Sequence, residues 1–406
     1  MRDSARLDIG LLTHSVNPRG GVVHTLELAD ALHARGHRVT VFAPAAPGQA
    51  LFRPTRCALE LVAVAPGHAS VVEMVASRRA AFVDHLSRRL RSQPFDVLHA
   101  QDAIGGNALA DLVERGEIGG FLRTVHHLDA FDEPQLMAWQ HRAFARASQV
   151  LCVSRTWCDR LQAEHGVSTT RVRNGVDLAR YTRVPRAGDA SVAQRHGLRP
   201  DAPLFLAVGG VEERKNTVRT LQAFAQVRQA HPGAQLAIVG GASLLDHDRY
   251  ARQFRSALAA TALEQGAGKA VVMTGQVPDA DMPALMRLAD VVAMPSLREG
   301  FGLVVLEALA CGTPVVVSRR APFTEYLDAD EQVDRACWAH PESVESIAQA
   351  MQRALDPRHG VALAAATPAV CERFSWQRSA ADHEALYRAH RALARGRVPS
   401  ELSAHD

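Results

Sequence analysis

Short apolar runs alternate with longer stretches in which apolar residues recur every three or four positions, and the alternation continues through most of the chain. The runs Leu7–Thr13, Arg38–Ala43, Leu59–Ala65, Asp96–Ala100, Phe121–His126 and Gln149–Val153 read as strands. Between them the spacing predicts helices from Gly20-Gly21 to near Arg35-Gly36, and over Val71–Arg91, Ile104–Arg115 and Pro134–Ala147. Asn174–Asp177 reads as a turn, and residues 180–189, with Pro185 and Gly188, have linker composition. The pattern then restarts with strands Leu204–Val208, Gln235–Val239, Ala270–Thr274, Asp290–Met294 and Val315–Val317, and helices Asn216–Ala230, Met282–Leu288 and Leu303–Ala310. Helical sequence follows over Pro341–Leu355, Val361–Arg373 and Trp376–Leu393, before a short polar tail. Alternating strands and helices build parallel α/β layers, so two such halves predict two doubly wound domains. In these sheets ligands sit beyond the carboxyl ends of the strands, which puts the expected chemistry in a cleft between the halves.

Composition narrows the partners. A net charge of +3 on 406 residues gives no case for nucleic acid binding. Six scattered Cys without metal-finger spacing read as reduced thiols of a cytoplasmic protein. Asp3 and Asp8 stand where a signal peptide needs an apolar core, so the start reads as a first strand. No uncharged apolar run approaches the ~20 residues that span a bilayer.

Four strand-end loops carry candidate chemistry. Gly20-Gly21 lets a ligand approach the amides of the first helix, although a glycine pair also makes an ordinary tight turn. Thr124-Val-His-His-Leu-Asp129 offers a histidine at a strand end, although a lone histidine is more often a satisfied polar group, and the adjacent pair points in opposite directions, so at most one of the two faces the site. Arg214 and Lys215 open a helix, where cations oppose the helix dipole unless an anion neutralises them. The chain otherwise uses Arg for its cations, Lys269 being its only other Lys, which favours a phosphate contact at Lys215 over two solvated charges. Finally, Glu299, Gly300 and Gly302 precede the apolar helix Leu303–Ala310. A glycine-flanked helix start binds anions. Glu307, one turn in and surrounded by apolar residues, needs a partner if buried.

Other patterns fail. Gly268-Lys269-Ala270 lacks the first Gly and the Ser/Thr of a P-loop, and no GxGxxG follows either first strand. The pairs Asp279/Asp281 and Asp328/Asp330 are of a length expected by chance, and Asp281 reads as a helix cap. No metal constellation is found, and no cofactor is expected.

Glu299 and Glu307 form an E-x7-E pattern, and Pro295 to Val316 around them closely resembles glycosyltransferase family 4, the retaining GT-B glycosyltransferases of group 1. Gly20-Gly21, Asp96-Val-Leu-His99, His126, Val153-Ser154, Asn174-Gly-Val-Asp177 and Arg214-Lys-Asn216 fall in the same order and context as in that family. The resemblance spans about Leu7 to Tyr326 and implies a GT-B fold of two Rossmann-like domains. These would be an acceptor domain over 1–178, with a helix at about 376–395 packing back on it, and a donor domain over 190–375. It implies that Glu299 contacts donor-sugar hydroxyls beside the amides of Gly300, Phe301 and Gly302. The amides of Leu303 and Val304 would face the diphosphate, Glu307 would hold the ribose, and Lys215 with Arg214 would neutralise the leaving diphosphate. His126 would lie near the reacting carbon, Gly20-Gly21 under the diphosphate and acceptor, and Asn174–Asp177 at the hinge. Two departures stand out. Gly209-Gly210 replaces the family's frequent Gly-Arg, and Ser318–Glu325 is bulkier and more basic than usual, with 328–340 departing further.

The sequence therefore implies a metal-independent retaining transferase taking a nucleotide-diphosphate-sugar donor and a small-molecule, glycan or lipid-linked acceptor. Closure of the two halves would assemble its site. Its rivals are a phosphorylase or nucleotide-sugar epimerase of the same fold, a non-catalytic nucleotide-sugar-binding protein, and, furthest off, an NAD(P) oxidoreductase. Arg78, Arg79, Arg88, Arg89 and Arg91 lie opposite Phe82, Leu86 and Leu90. That stripe reads as a helix packed on the sheet ahead of a membrane-surface helix.

Overall fold

A computed structural model describes residues 6–199, 201–241, 248–327 and 335–396. The pair Asp328/Asp330, most of the divergent segment 328–340 and the polar tail lie outside the described residues. Two compact units emerge, one built from residues up to Asn174 together with those from Trp376 onward, the other from Gly175–Ser375.

The first unit contains β1 (Asp8–Leu12), α1 (Gly20–Ala34), β2 (Arg38–Ala45), β3 (Ala58–Ala63), α2 (Val71–Ser92), β4 (Val97–Ala100) and α3 (Ala103–Glu114). It continues with β5 (Leu122–Val125), α4 (Pro134–Ala145), β6 (Gln149–Cys152), α5 (Arg155–His165) and β7 (Thr169–Arg171). The second contains α6 (Asp189–Arg195), β8 (Leu204–Val208), α7 (Thr217–Ala230), β9 (Gln235–Val239), α8 (Asp248–Thr261), β10 (Val271–Gly275) and α9 (Met282–Leu288). Then come β11 (Val291–Met294), α10 (Leu303–Ala310), β12 (Val315–Ser318), α11 (Phe323–Leu327), β13 (Cys337–Ala339), α12 (Val344–Ala354) and α13 (Pro357–Arg373). The last helix, α14 (Trp376–Gly396), belongs to the first unit.

Both sheets are parallel, in the orders β3-β2-β1-β4-β5-β6-β7 and β10-β9-β8-β11-β12-β13. Each reverses direction beside its first strand, at β1/β4 and at β8/β11. Such switch points open the crevice in which doubly wound sheets bind ligands. Helices cover both faces, so the central strands β1, β4, β8, β11 and β12 are buried runs and do not alternate. In the first unit one core joins Ile9 and Leu11 of β1 to Leu26 and Leu28 of α1 and to Tyr387 of α14. The other face packs Leu12, Phe42 and Leu98 against Phe82 and Leu86 of α2 and Leu109 of α3. Tyr387 is fully buried, a contribution of about 1.5–3 kcal/mol from one ring. Ion pairs Arg173–Asp382 at 2.8 Å and Arg391–Asp96 at 2.8 Å fix α14 further.

The structure settles the basic helix α2. Phe82, Val83 and Leu86 are buried, Arg79 bonds Asp111, Arg89 bonds Glu60, and Arg78 donates to the carbonyl of His14. Its apolar stripe is core and several of its cations are neutralised within the protein. Among the described residues no helix is long and apolar enough to cross a membrane.

Residues 180–188, of linker composition, fold with the second unit: Arg180 pairs with Asp279 at 2.6 Å, and Asp189 opens a helix held by Arg287. Several elements escaped the pattern reading. Strand β7 is Thr-Thr-Arg, with no apolar residue, and α8 buries only Phe254.

Candidate active site

The second unit collects the acidic and basic candidates at the carboxyl ends of β8 and β11. After β8 the chain turns through Gly209-Gly210 into a 3-10 turn, Glu213–Lys215, and then α7. Asn216, between the two, adopts a left-handed conformation (φ 62°). Its side-chain amide donates to the carbonyls of Pro295 (2.9 Å) and Pro341 (2.6 Å). The backbone of Leu297 also donates to the Arg214 carbonyl at 2.8 Å. The loops after β8 and β11 are thus one unit, although 84 residues separate Lys215 from Glu299.

That tie brings the charges together. Lys215 Nζ lies 2.6 Å from Glu299 Oε1 and 3.1 Å from Oε2. Arg214 reaches Glu299 at 3.1 Å and Glu212 at 2.9 Å. The side chains of Glu299 and Glu212 are 6% and 5% exposed, so both carboxylates of the cluster are nearly dry, while Arg214 stays partly open to water. Burial lowers the Lys215 pKa, with Arg214 adding to the fall, and Glu299 opposes it. The anion that the helix-start argument required is therefore already present in the protein as Glu299 and Glu212. Lys215 reaches its place over Gly209, where an added Cβ would sit 2.7 Å from the Lys215 Cε.

Gly302 caps α10 at φ 91°, and a Cβ there would fall 2.6 Å from the Phe323 ring. Its neighbour Phe301 is buried and stacked on Tyr326 (4.7 Å between centroids, 13° between planes), whose hydroxyl donates to the Phe301 carbonyl at 3.2 Å. Leu303 and Val304 begin the helix, and amides there have no intrahelical acceptor. Gly302→Ala is expected to cost about 2 kcal/mol or more, from the left-handed backbone and the clash, and to displace this tip. A thermal melt reads the first effect, and donor titration the second.

Glu307 is half-buried one turn in, and its charge acts on Arg180. Arg180 stays firmly protonated although burial works against its charge, because Tyr181, Asp279 and Glu307 outweigh that penalty. The two glutamates of the motif thus face different cations, Glu299 the Lys215–Arg214 pair and Glu307 the side of Arg180. Asp281 does not cap α9 as its position suggests. Its carboxylate instead accepts from Arg195 at 3.1 Å and His196 at 2.8 Å. Gly210, where the family often has Arg, is left-handed (φ 74°), and a Cβ there would meet the Gly241 carbonyl at 3.0 Å.

The first unit gathers Gly20, Gly21 and His126. Gly20 opens α1, and the missing side chain of Gly21 leaves the His126 ring 3.5 Å from where a Cβ would stand. His126 is half-buried and His127 exposed, so the neighbouring pair splits as an extended chain requires. The His126 Nε2–H donates to Gln101 Oε1 at 3.1 Å, which leaves Nδ1 as the acceptor nitrogen. Burial, reinforced by His24 and Arg123, pushes the His126 pKa well below its ordinary value, so the ring is neutral at pH 7. His24 stacks edge-on at 4.7 Å, with His99 and His383 behind it. Gln101, His24 and His383 were not singled out from sequence. Gln101 was findable, because it follows β4 at the switch point, but nothing local marks a buried His on a helix. Among the described residues no group of three or more His, Cys, Asp or Glu is arranged to hold a metal ion.

Comparison with known proteins matches this architecture. Residues 18–180 fit the description Glycosyltransferase Family 4, and residues 190–368 fit Glycosyl transferases group 1. A phosphatidyl-myo-inositol mannosyltransferase of Mycobacterium leprae is 30% identical over 336 residues, 79% of this chain and 80% of that protein. A D-inositol 3-phosphate glycosyltransferase of Segniliparus rotundus is 34% identical over 224 residues, 55% of this chain. There the match spans about half of the relative, 46% of its length. In fold the chain resembles sucrose-phosphate synthase from Thermosynechococcus elongatus, with TM-score 0.78 and 23% identity over 96% of this chain and 100% of that one. The molecule is a GT-B protein, two parallel-sheet Rossmann-like domains in one chain. It belongs to the group 1, family 4 glycosyltransferases.

Proposed function

We propose that the protein transfers a hexosyl group from a nucleoside-diphosphate sugar to an acceptor hydroxyl, with retention of configuration and without a metal. The observation that carries this reading is the buried cluster of Lys215, Arg214 and Glu299 beside the glycine-capped start of α10. A diphosphate brought to that helix start competes with Glu299 for Lys215 and Arg214. The cations then stabilise charge developing on the leaving group, and Glu299 is freed to accept hydrogen bonds from sugar hydroxyls. The amides of Gly300 to Val304 take the anion and the sugar edge, and Glu307 takes the ribose. The second domain is thereby assigned the donor. The first is assigned the acceptor, with Gly20, Gly21 and His126 serving the reacting sugar. Because Lys215 and Arg214 supply the positive charge, chelators are expected to leave turnover unchanged.

The names of the relatives above contain inositol 3-phosphate and phosphatidyl-myo-inositol, so cyclitols and their phosphorylated forms are the acceptors to test first. UDP-, GDP- and ADP-sugars are screened by thermal shift, since a ligand of the native state raises stability with its affinity and concentration. The stabilising donor is then incubated with each acceptor, and the product's anomeric configuration is read by NMR. An inverted product, or a donor that neither binds nor releases nucleoside diphosphate, would sink the reading. Glu307→Ala is expected to weaken donor binding by about 10- to 100-fold, the loss of a charge-assisted hydrogen bond pair. Calorimetric titration measures it, and unchanged affinity removes Glu307 from the site.

A further inference from the structure

The second unit holds a recess that the transfer reaction leaves unused. It lies along β13, the edge strand of its sheet among the described residues, with side chains of α12 and α13 as its other walls. Its volume is about 300 Å³, the lower end of the range in which proteins hold small molecules. Two guanidiniums meet there at one residue. The Arg319 guanidinium carbon stands 5.9 Å from the centre of the Trp338 ring, and Arg353 Nη2 donates to the Trp338 carbonyl at 3.1 Å. His340, Ser346 and His359 supply the other polar side chains, and the lining contains no carboxylate.

Hydrogen-bond donors outnumber acceptors in this recess. Among the described residues Arg353 forms no ion pair, and its guanidinium bonds to a neutral carbonyl alone. Ser346 Oγ accepts from the His340 amide at 3.0 Å, which leaves the hydroxyl proton to donate. Nδ1 of His359 is buried with no hydrogen-bonding partner among the described residues. Carboxylates close in sequence are engaged elsewhere. Glu342 takes Arg320 at 2.7 Å, and Asp356 accepts from the Arg358 amide at 2.9 Å as the cap of α13. Two guanidiniums gathered at one residue repel each other, and an anion between them turns the repulsion into attraction.

We propose that this recess binds a small phosphomonoester, its phosphoryl group held by Arg353, Arg319, His340 and Ser346 and its remainder set against Trp338. A carboxylate offers two oxygens, whereas a phosphoryl group offers three strong acceptors and close to two charges, which matches a lining of this many donors. The planar guanidinium fork suits phosphate in particular. The indole supplies an apolar wall for a carbon skeleton, and the volume leaves room for one beside the phosphoryl group.

The recess is separate from the charged cluster, since Lys215, Arg214, Glu299 and Glu307 are absent from its lining. It is nevertheless close in the chain. Pro341, the residue after His340, carries the carbonyl that takes the Asn216 amide at 2.6 Å, and Arg320, after Arg319, donates to the Leu297 carbonyl at 3.2 Å. An anion held at Arg319 and His340 therefore sits one residue from the ties that place the loops of Lys215 and Glu299.

Tryptophan fluorescence of the full chain tests the assignment, because the difference between wild type and Trp338→Phe isolates one of the four tryptophans. Glucose 6-phosphate, inorganic phosphate and glucose are titrated at constant ionic strength. The ester is expected to give a saturable change in the Trp338 signal, inorganic phosphate a weaker one, and glucose none. Arg353→Gln keeps an N–H for the Trp338 carbonyl but carries no charge, and should weaken the ester about 10- to 100-fold. His340→Ala, at an exposed position, is a second variant with the same expected direction. Lys215→Ala should leave this titration unmoved, which separates the recess from anion binding at the charged cluster. No saturable change with millimolar ester overturns the proposal. So does a signal that Arg353→Gln and His340→Ala leave intact, one that Lys215→Ala removes, or a recess that takes inorganic phosphate but not the ester.

Discussion

Lys215→Ala is expected to lower turnover by about 10²- to 10³-fold while the protein remains folded, the loss typical of removing one preorganised charge from a developing anion. The geometry explains why so much rests on one ammonium. Lys215 is 12% exposed and touches both oxygens of Glu299, so its charge acts in a poorly screened environment. Arg214 is 32% exposed, and water screens it, so Arg214→Ala should cost less. The fold should tolerate the loss of Lys215 at about 1–3 kcal/mol, because Glu299 keeps Arg214 at 3.1 Å and is not left as an isolated buried charge. Lys215→Arg should recover little. The passage over Gly209 already admits the lysine stem with nothing to spare, and a planar guanidinium needs more width. Steady-state kinetics with the stabilising donor measure all three variants. A Lys215→Ala enzyme whose kcat stays within about threefold of wild type would remove Lys215 from the chemistry.

The sequence made the domains legible because parallel strands buried on both faces must be apolar runs, and helices between them must carry a stripe. It made the motif around Glu299 legible because glycine in front of an apolar helix has few structural uses, and Gly302 does adopt a left-handed backbone no β-branched residue would accept. What it could not show is pairing over distance. That Glu299 sits on Lys215 follows from Asn216 bonding to Pro295 and Pro341, two contacts 79 and 125 residues away. The same limit misled the reading of Asp281, whose place before α9 suggests a cap while its carboxylate is taken by Arg195 and His196. Short or polar elements were lost for a different reason. The strand β7 is recognised only by the ladder it makes with β6, since Thr169 to Arg171 has no apolar face to announce it.

The histidines behind His126 lead to a prediction about acid. His24 and His383 are fully buried, and burial takes their pKa values to about 3 and about 4. Burial drives both falls, His383 adds to that of His24, and the hydrogen bond each ring makes only partly opposes them. The Nδ1–H of His24 donates to Asn174 Oδ1 at 2.6 Å and that of His383 to the Ser379 carbonyl at 2.8 Å. Both Nε2 atoms are buried without a hydrogen-bonding partner among the described residues, so a second proton there would be an unpaired charge. His99, held between Tyr387 at 2.7 Å and Thr124 at 2.8 Å, is likewise pushed well below its ordinary value by burial. Since unfolded histidines take protons near pH 6.5 and these do not, the unfolded state binds more protons below that pH. Their contribution is therefore complete above about pH 6.5 and is lost as pH falls toward the folded values. At pH 5, His24 and His383 each forfeit roughly 2 kcal/mol, a large share of a typical stability of about 5–15 kcal/mol. The first domain is expected to lose protection of α1 and α14 between pH 6.5 and 4, before its carboxylates titrate fully. Hydrogen exchange of those helices at pH 7 and pH 5, corrected for the intrinsic rate, measures the loss directly. His24→Gln, which can still donate to Asn174 but cannot take a proton, should flatten the acid limb by about one proton. Equal opening free energies for α1 at the two pH values would mean that the buried histidines accept protons without penalty.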